Sequence, residues 1–266
     1  MRKTTVIILS LSLLLGLDVY SGGELSDNQK AIDVTHYDIN LKVDPNRKII
    51  SGKVGITFLL KEQPKVFEFD LIDSLRVSEV SINEMTLSFY QKSNKIIISN
   101  PGFETGKTYS ARIKYGGEPP VAKNPPWVGG FSWEKSEDGR PWVGVSCQAN
   151  GAYIWYPCKE HPSDKSNGAK IAITVPEPLV VASNGLLTSV ESVGNKWKTW
   201  TWETQYSISP YNINFTVGNF KKVEETIYLI DKPLSLVYYV LPESVYGAKA
   251  LLGEAEKYLN FYVSHF

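Results

Sequence analysis

Hydrophobic and polar residues alternate with a period of two along most of the chain, from about Asp33 to Leu241. Three runs show the pattern most clearly: Gly52–Phe58, Lys65–Leu71 and Lys170–Val175. Such alternation is typical of β-strands with one buried face. Short sequences rich in Gly, Pro and Asn separate the runs, and no strand pattern alternates with a helix pattern. The sequence therefore predicts a mainly β fold, built from antiparallel sheets arranged as a sandwich or a saddle.

The pattern changes after Pro242, where hydrophobic residues recur at spacings of three and four. The residues of this stripe are Ala248, Leu251, Leu252, Ala255, Leu259, Tyr262 and Val263. The spacing predicts an amphipathic helix. A single helix after a β-domain has little of its own to pack against. We therefore expect a β-domain over residues 22–241 and, over residues 242–266, the first helix of an α-helical domain that the chain does not contain.

Four large aromatic residues lie in the segment Pro126–Trp142, whose polar centre predicts the tip of a hairpin. They are Trp127, Phe131, Trp133 and Trp142. Flat rings can stack on sugars, so glycan binding is one interpretation. Aromatic residues are also common in strands, where they bury large areas, and this second interpretation is the one we favour.

The first 21 residues have the features of a secretory signal peptide. Arg2 and Lys3 provide a positive start, and the twelve residues Val6–Leu17 are almost entirely apolar. This run is short for a membrane span, which needs about 20 apolar residues. We therefore expect an exported protein, periplasmic or extracellular. An uncleaved segment that holds the protein at the membrane is the alternative.

Composition and motifs argue against several functions. The formal net charge is zero, with 28 basic and 28 acidic residues, so a nucleic-acid partner is not expected. The three histidines, His36, His161 and His265, are too far apart in the sequence to share a helical face. The sequence contains no His-Glu-x-x-His, Gly-x-Ser-x-Gly or phosphate-binding motif. We expect no catalytic or metal-binding residue in this chain, and no activity of the chain alone.

The two cysteines, Cys147 and Cys158, lie eleven residues apart in one aromatic-rich segment. Export would permit a disulfide between them if their strands lie side by side. Two thiols packed in the core are equally compatible with the sequence.

Four segments, in order, resemble the N-terminal β-domain of the zinc aminopeptidases of the aminopeptidase N and leukotriene hydrolase type. The segments are His36–Phe58, Ala111–Pro120, Val145–Gly185 and Trp200–Phe220. The third contains the family's aromatic-Pro-Cys step, followed by Ser-Asn-Gly. The resemblance extends from about Thr35 to Phe220. The sequences Asn-Pro-Pro-Trp and Lys-Glu-His-Pro resemble most those of exported bacterial members.

The resemblance implies a role for Gln148. In the family, a Gln or Glu at this position accepts a hydrogen bond from the free α-amino group of a peptide substrate. The family's zinc site and its Gly-x-Met-Glu-Asn motif lie in the catalytic domain. The resemblance therefore implies that this chain ends before them, that zinc binds elsewhere, and that the partner is a catalytic domain, encoded in cis or separately.

The chain departs from the family pattern where Lys-Glu-His-Pro replaces the usual Asp-Glu-Pro. His161 enters at this point, and we expect it to be a surface or capping residue. The alternative to the family function is an exported β-sandwich that acts alone and binds a protein or a glycan.

Overall fold

The computed structural model describes residues 23–148, 150–230 and 232–265, so the predicted signal peptide, residues 1–21, lies outside the described residues. The described strands are β1 (Ile32–Asp44), β2 (Ile49–Leu60), β3 (Val66–Asp70), β4 (Leu75–Ile82), β5 (Met85–Thr86), β6 (Phe89–Lys92), β7 (Lys95–Ser99), β8 (Thr108–Gly117), β9 (Gly130–Lys135), β10 (Pro141–Ser146), β11 (Ala169–Pro176), β12 (Val180–Ser183), β13 (Leu186–Ser192), β14 (Trp197–Thr204), β15 (Phe215–Gly218), β16 (Lys221–Leu229) and β17 (Lys232–Val240). The α-helices are α1 (Asp27–Lys30) and α2 (Val245–His265), and short 3-10 helices span Ala152–Ile154, Pro210–Asn212 and Pro242–Ser244.

These strands form four sheets, which confirms the mainly β fold. The largest has eight strands in the order β13-β14-β11-β1-β2-β8-β4-β5, and the others are β12-β15-β10-β9, β3-β7-β6 and the hairpin β16-β17. The pairing is antiparallel except between β1 and β11, where Tyr37 lies beside Ala169. A parallel pair needs a long crossover connection, and here the chain forms β2 to β10 between the two partners.

One hydrophobic core joins the eight-, four- and three-stranded sheets. Phe58 on β2 is fully buried within it. Its ring centroid lies 5.5 Å from that of Phe67, 6.1 Å from that of Phe69 and 6.0 Å from that of Tyr109. Phe67 and Phe69 belong to β3, so this aromatic cluster fixes the small sheet against the large one.

Glu68 and Asp70 alternate with the hydrophobic residues of β3, a pattern typical of a strand with an exposed polar face, but both residues are buried. The Nζ atom of Lys95 lies 2.6 Å from Asp70 Oδ1 and 3.1 Å from Glu68 Oε1. Lys95 is the register partner of Asp70 on β7. The period-two pattern therefore predicts the strand correctly but predicts the exposure of these two side chains wrongly, because a second layer of chain covers the polar face.

The hairpin predicted around the polar tip is present as β9 and β10, which pair antiparallel. Phe131 is fully buried, and Trp133 stacks on it at 5.1 Å between ring centroids. These contacts agree with a packing role. Trp127 differs, since it is 63% exposed.

The predicted C-terminal helix is present as α2. Ala248 and Leu252 are buried against Val223 of the β16-β17 hairpin. Leu251 and Tyr262 are both 58% exposed, so the hairpin covers only part of the predicted hydrophobic stripe. Strand changes to helix between Val240 and Pro242, and the division into two domains there remains a prediction.

We expect Phe58→Ala to lower the free energy of unfolding by about 3–5 kcal/mol, because it removes a fully buried ring from the contact between two sheets. Urea denaturation followed by tryptophan fluorescence measures this change. Tyr90→Ala on β6 is the control, since Tyr90 is 60% exposed and its loss should change the value by about 0.5 kcal/mol or less. Equal effects of the two substitutions would contradict a shared core.

Candidate functional site

Gln148, the residue singled out from the sequence, lies in the turn that follows β10, and it is exposed. The turn is held by the carbonyl oxygen of Cys147, which accepts hydrogen bonds from the backbone N–H groups of Asn150 at 3.1 Å and Gly151 at 2.7 Å. The Asn150 side chain in turn accepts a hydrogen bond from the N–H of Gly129 at 2.7 Å. A fixed backbone thus presents a solvent-facing amide, which offers one acceptor oxygen and two N–H donors.

An open pocket of about 500 Å³ lies beside this turn. Its lining residues are Pro126, Val145, Ser146, Cys147, Gln148, Tyr211, Asn212 and Asn214. Tyr211 is 39% exposed and belongs to the 3-10 helix that precedes β15. The pocket therefore combines the end of β10 with the segment before β15, which are distant in the sequence.

Asn214 connects these segments. Its Nδ2 donates to the carbonyl oxygen of Val145 at 2.8 Å, and its own N–H donates to Oδ1 of Asn184 at 2.7 Å. The hydroxyl of Ser183 donates to the Asn214 carbonyl oxygen at 2.6 Å. Asn214 therefore joins the Ser-Asn-Gly segment to β10, the strand that precedes the turn at Gln148.

The chain after the turn, Gly151–Glu160, is called the inner segment because it runs through the protein interior and pairs with a strand only at Cys158, which forms an antiparallel bridge with Asp70 at the end of β3. The side chains of Trp155 and Tyr156 are fully buried. Tyrosine hydroxyls satisfy other backbone groups of the segment: that of Tyr115 donates to the Trp155 carbonyl at 2.9 Å. The hydroxyl of Tyr37 accepts from the Lys159 N–H at 3.2 Å.

Glu160 is the residue of the inner segment that sequence reasoning missed. Its Oε2 accepts hydrogen bonds from the N–H groups of Ala152 and Tyr153, and the thiol of Cys158 donates to the same oxygen at 3.5 Å. Gly151 has φ of +90°, and a Cβ there would lie 2.5 Å from Cδ of Glu160. The carboxylate and the glycine therefore form one tight turn next to Gln148. Burial raises the pKa of Glu160 above its usual value, although the backbone N–H donors act in the opposite direction.

A second group of charged residues joins the inner segment to its surroundings. Asp70 Oδ2 accepts from the N–H of Glu160 and from Nε2 of Gln29, each at 2.8 Å. Nζ of Lys159 lies 2.9 Å from Asp164 Oδ2 and donates to the Ile32 carbonyl at 2.7 Å. Both members of the Lys159–Asp164 pair are almost fully buried. These contacts are structural, since breaking one member of a buried pair leaves an uncompensated charge.

The two cysteines are free and buried, which resolves the alternatives that the sequence left open. Burial raises the pKa of Cys147 to about 12, and it raises the pKa of Cys158 well above the usual thiol value. Since the thiolate is the reactive form, these residues are not nucleophiles at neutral pH.

His161 lies in the surface turn after the inner segment, where its Nδ1 is 2.6 Å from the Ser163 hydroxyl. This agrees with the surface role expected for it. In the part of the chain that the structure describes, no three His, Cys, Asp or Glu side chains are grouped to hold a metal ion. No described helix is long and apolar enough to cross a membrane.

Comparison with known proteins shows the family to which this chain belongs. The family model of the Peptidase M1 N-terminal domain matches residues 33–212. Leucine aminopeptidase 2 from Vanderwaltozyma polyspora is 27% identical over 200 residues, which cover 72% of this chain and 29% of that protein.

Solved structures of M1 zinc metallopeptidases from Deinococcus radiodurans are similar in fold. One has a TM-score of 0.66 and 25% identity, and the match covers 78% of this chain and 47% of that chain. A mutant form has a TM-score of 0.71 at 24% identity and covers 91% of this chain and 55% of that chain. The chain thus spans about half the length of these structures and under a third of the curated relative.

We expect Glu160→Ala to destabilise the protein by about 2–4 kcal/mol, because it leaves the buried N–H groups of Ala152 and Tyr153 without their acceptor. Glu160→Gln should cost less, since an amide oxygen can accept the same bonds.

Because the folded-state pKa of Glu160 is raised, its ionisation opposes folding. The wild type should therefore lose stability relative to Glu160→Gln as the pH rises from about 4 through that raised pKa.

Urea denaturation of the wild type and of Glu160→Gln across this pH range measures the difference in stability. Burial also raises the pKa of Asp70, but this residue is present in both proteins, so its titration cancels in the comparison. A wild type that instead gains stability over Glu160→Gln with rising pH would contradict the raised pKa. Thr188→Ala, on an edge strand away from the inner segment, should show no such pH dependence relative to the wild type.

Proposed function

Since this chain belongs to the Peptidase M1 N-terminal domain family, we propose that it is the non-catalytic N-terminal part of a zinc-dependent aminopeptidase that removes residues from the N-termini of peptides. The observation that carries the proposal is the family match over residues 33–212 together with the exposed Gln148 on a fixed turn beside an open pocket. The direct partner would be a catalytic domain in the same polypeptide or encoded separately.

The proposed role of Gln148 is to accept a hydrogen bond from the α-ammonium group of the substrate. An exopeptidase has to recognise a free chain end, and an oxygen acceptor at a fixed position does so by pairing with the ammonium. The rigid hydrogen bonding of the turn supports this role, because a positioned acceptor loses little freedom on binding. A neutral amide gives a weaker bond than a carboxylate would, so carboxylates of the catalytic domain would supply the remaining negative charge.

Zinc does not fit the described residues, which offer no grouped ligands for a metal. We therefore assign zinc and the groups that activate water to the proposed catalytic domain.

We also propose that the protein is exported to the periplasm or the extracellular space. Support comes from the positive start of the sequence and the apolar run Val6–Leu17. Expression of the full 266-residue chain in a Gram-negative host, followed by cell fractionation and intact-mass measurement, tests this proposal. Recovery in the cytoplasm with the full mass would contradict export, and full mass in the membrane fraction would indicate an uncleaved anchor.

The first test of the proposed function is to sequence the DNA beyond the codon for Phe266 and to express the polypeptide that it encodes. We expect a zinc-binding His-Glu-x-x-His motif there, or in a neighbouring gene. The polypeptide or complex should hydrolyse aminoacyl-naphthylamides in a chelator-sensitive manner, and the 266-residue chain alone should not. Chelator-insensitive hydrolysis by the chain alone would contradict a non-catalytic role.

In the active polypeptide or complex, Gln148→Ala should lower kcat/KM for an aminoacyl-naphthylamide by roughly 10- to 100-fold, because a hydrogen bond to a charged group contributes about 1.5–3 kcal/mol. Gln148→Glu should retain or improve binding of a free amino acid as a competitive inhibitor, because both partners are then charged. An analogue of that inhibitor without the α-amine should bind all three proteins equally.

Gln205→Ala is the matched control, since Gln205 is also exposed but does not line the pocket. Equal kinetics of Gln148→Ala and Gln205→Ala would remove Gln148 from the substrate site without affecting the family assignment.

A further inference from the structure

The outer face of the eight-stranded sheet, which faces away from the core, contains an open groove of about 710 Å³. It crosses β1, β2, β4, β8, β11 and β14. Four exposed cationic side chains line it: Lys42, Lys53, Arg76 and Lys114. This groove is separate from the pocket at Gln148, since the two share no lining residue.

Two of the cations in the groove lie directly opposite each other. Lys53 on β2 and Lys114 on β8 are register partners, and like charges placed directly opposite each other destabilise a sheet. Within the described residues, Lys53, Arg76 and Lys114 form no ion pair with a carboxylate. The ammonium of Lys42 lies over the Trp197 ring, 3.9 Å from its centroid. An anion in the groove would relieve the repulsion between Lys53 and Lys114.

Two acidic residues limit the positive region and thereby the kind of anion that fits. Glu79 on β4 is opposite Lys114 in register, and Asp38 on β1 accepts a hydrogen bond from Asn40 at 2.9 Å. These carboxylates confine the positive region to the groove, so a long polyanion such as a nucleic acid finds no extended positive surface. The formal net charge of zero also gives no general attraction for such a polymer.

The groove is also lined by neutral side chains that can both donate and accept hydrogen bonds. They are Asn40, Ser51, Ser78, Thr174 and Thr199, and the last two hydroxyls lie 2.8 Å apart. The backbone N–H and C=O groups of these strands pair within the sheet, so this face offers few partners for the backbone of a bound peptide. A ligand that carries both hydroxyl groups and anionic groups matches the groove best.

We propose that this groove binds an acidic glycan, meaning a sugar chain with carboxylate or sulfate groups. The anionic groups pair with Lys53, Lys114 and Arg76, and sugar hydroxyls contact the neutral side chains of the groove. This binding site is independent of the proposed aminopeptidase function, because it needs neither Gln148 nor a catalytic domain.

The experiment measures binding of a galacturonic-acid oligomer and of a heparin-derived oligosaccharide to the 266-residue chain by calorimetry at low and moderate salt. At least one should bind, with affinity that falls as salt rises. The double substitution Lys53→Gln and Lys114→Gln should weaken binding about tenfold or more. Its thermal unfolding should be unchanged or shifted upward, because the substitution removes a repulsive pair.

The matched control is Lys61→Gln with Lys249→Gln, which removes the same charge from two exposed positions outside the groove and should leave affinity unchanged. Four results would overturn the proposal: no binding of either acidic glycan, equal loss in both double variants, equally tight binding of a neutral dextran oligomer, or tighter binding of an oligoglutamate peptide or DNA duplex. The last result would assign the groove to a different class of anion.

Discussion

The presentation of Gln148 depends on one buried interaction, in which the carboxylate of Glu160 accepts hydrogen bonds from the backbone of its own segment. Part of the inner segment pairs with other backbone groups, as Cys158 does with Asp70, but several of its N–H groups need partners from side chains. Glu160 satisfies two of them, and its own N–H is satisfied by Asp70. Without these acceptors the segment could not remain in an apolar interior, and the turn at its start would lose its support.

The charges beneath this segment form a continuous group. Lys95 pairs with Asp70 and Glu68, and Asp70 also accepts from Gln29 near the start of the described chain. Burial raises the pKa of Asp70, while Lys95 acts in the opposite direction. The interior thus holds carboxylates whose role is to bind backbone and side-chain donors. None of this requires catalysis by the chain itself.

The fold could largely be predicted from the sequence, because period-two alternation identifies strands such as β2 and the stripe after Pro242 identifies α2. Gln148 could be singled out as a site residue only through the family resemblance. Glu160, Asp70 and Asn214 could not be identified as site-supporting residues, because their partners are distant in the sequence or belong to the backbone. Alternation cannot show that a second layer covers the polar face of β3, and composition cannot show that Lys53 lies opposite Lys114.

The parallel pairing of β1 and β11 has a consequence for how the chain is made. Synthesis proceeds from the N-terminus, so β1 emerges long before its partner, whose first residue is Ala169. Until then β1 has β2 on one side and an open edge on the other, while most of the core is still incomplete. Closing so long a loop favours slow folding. The nascent domain therefore exposes a hydrophobic sheet edge during synthesis, which is the state that chaperones recognise and that aggregation exploits.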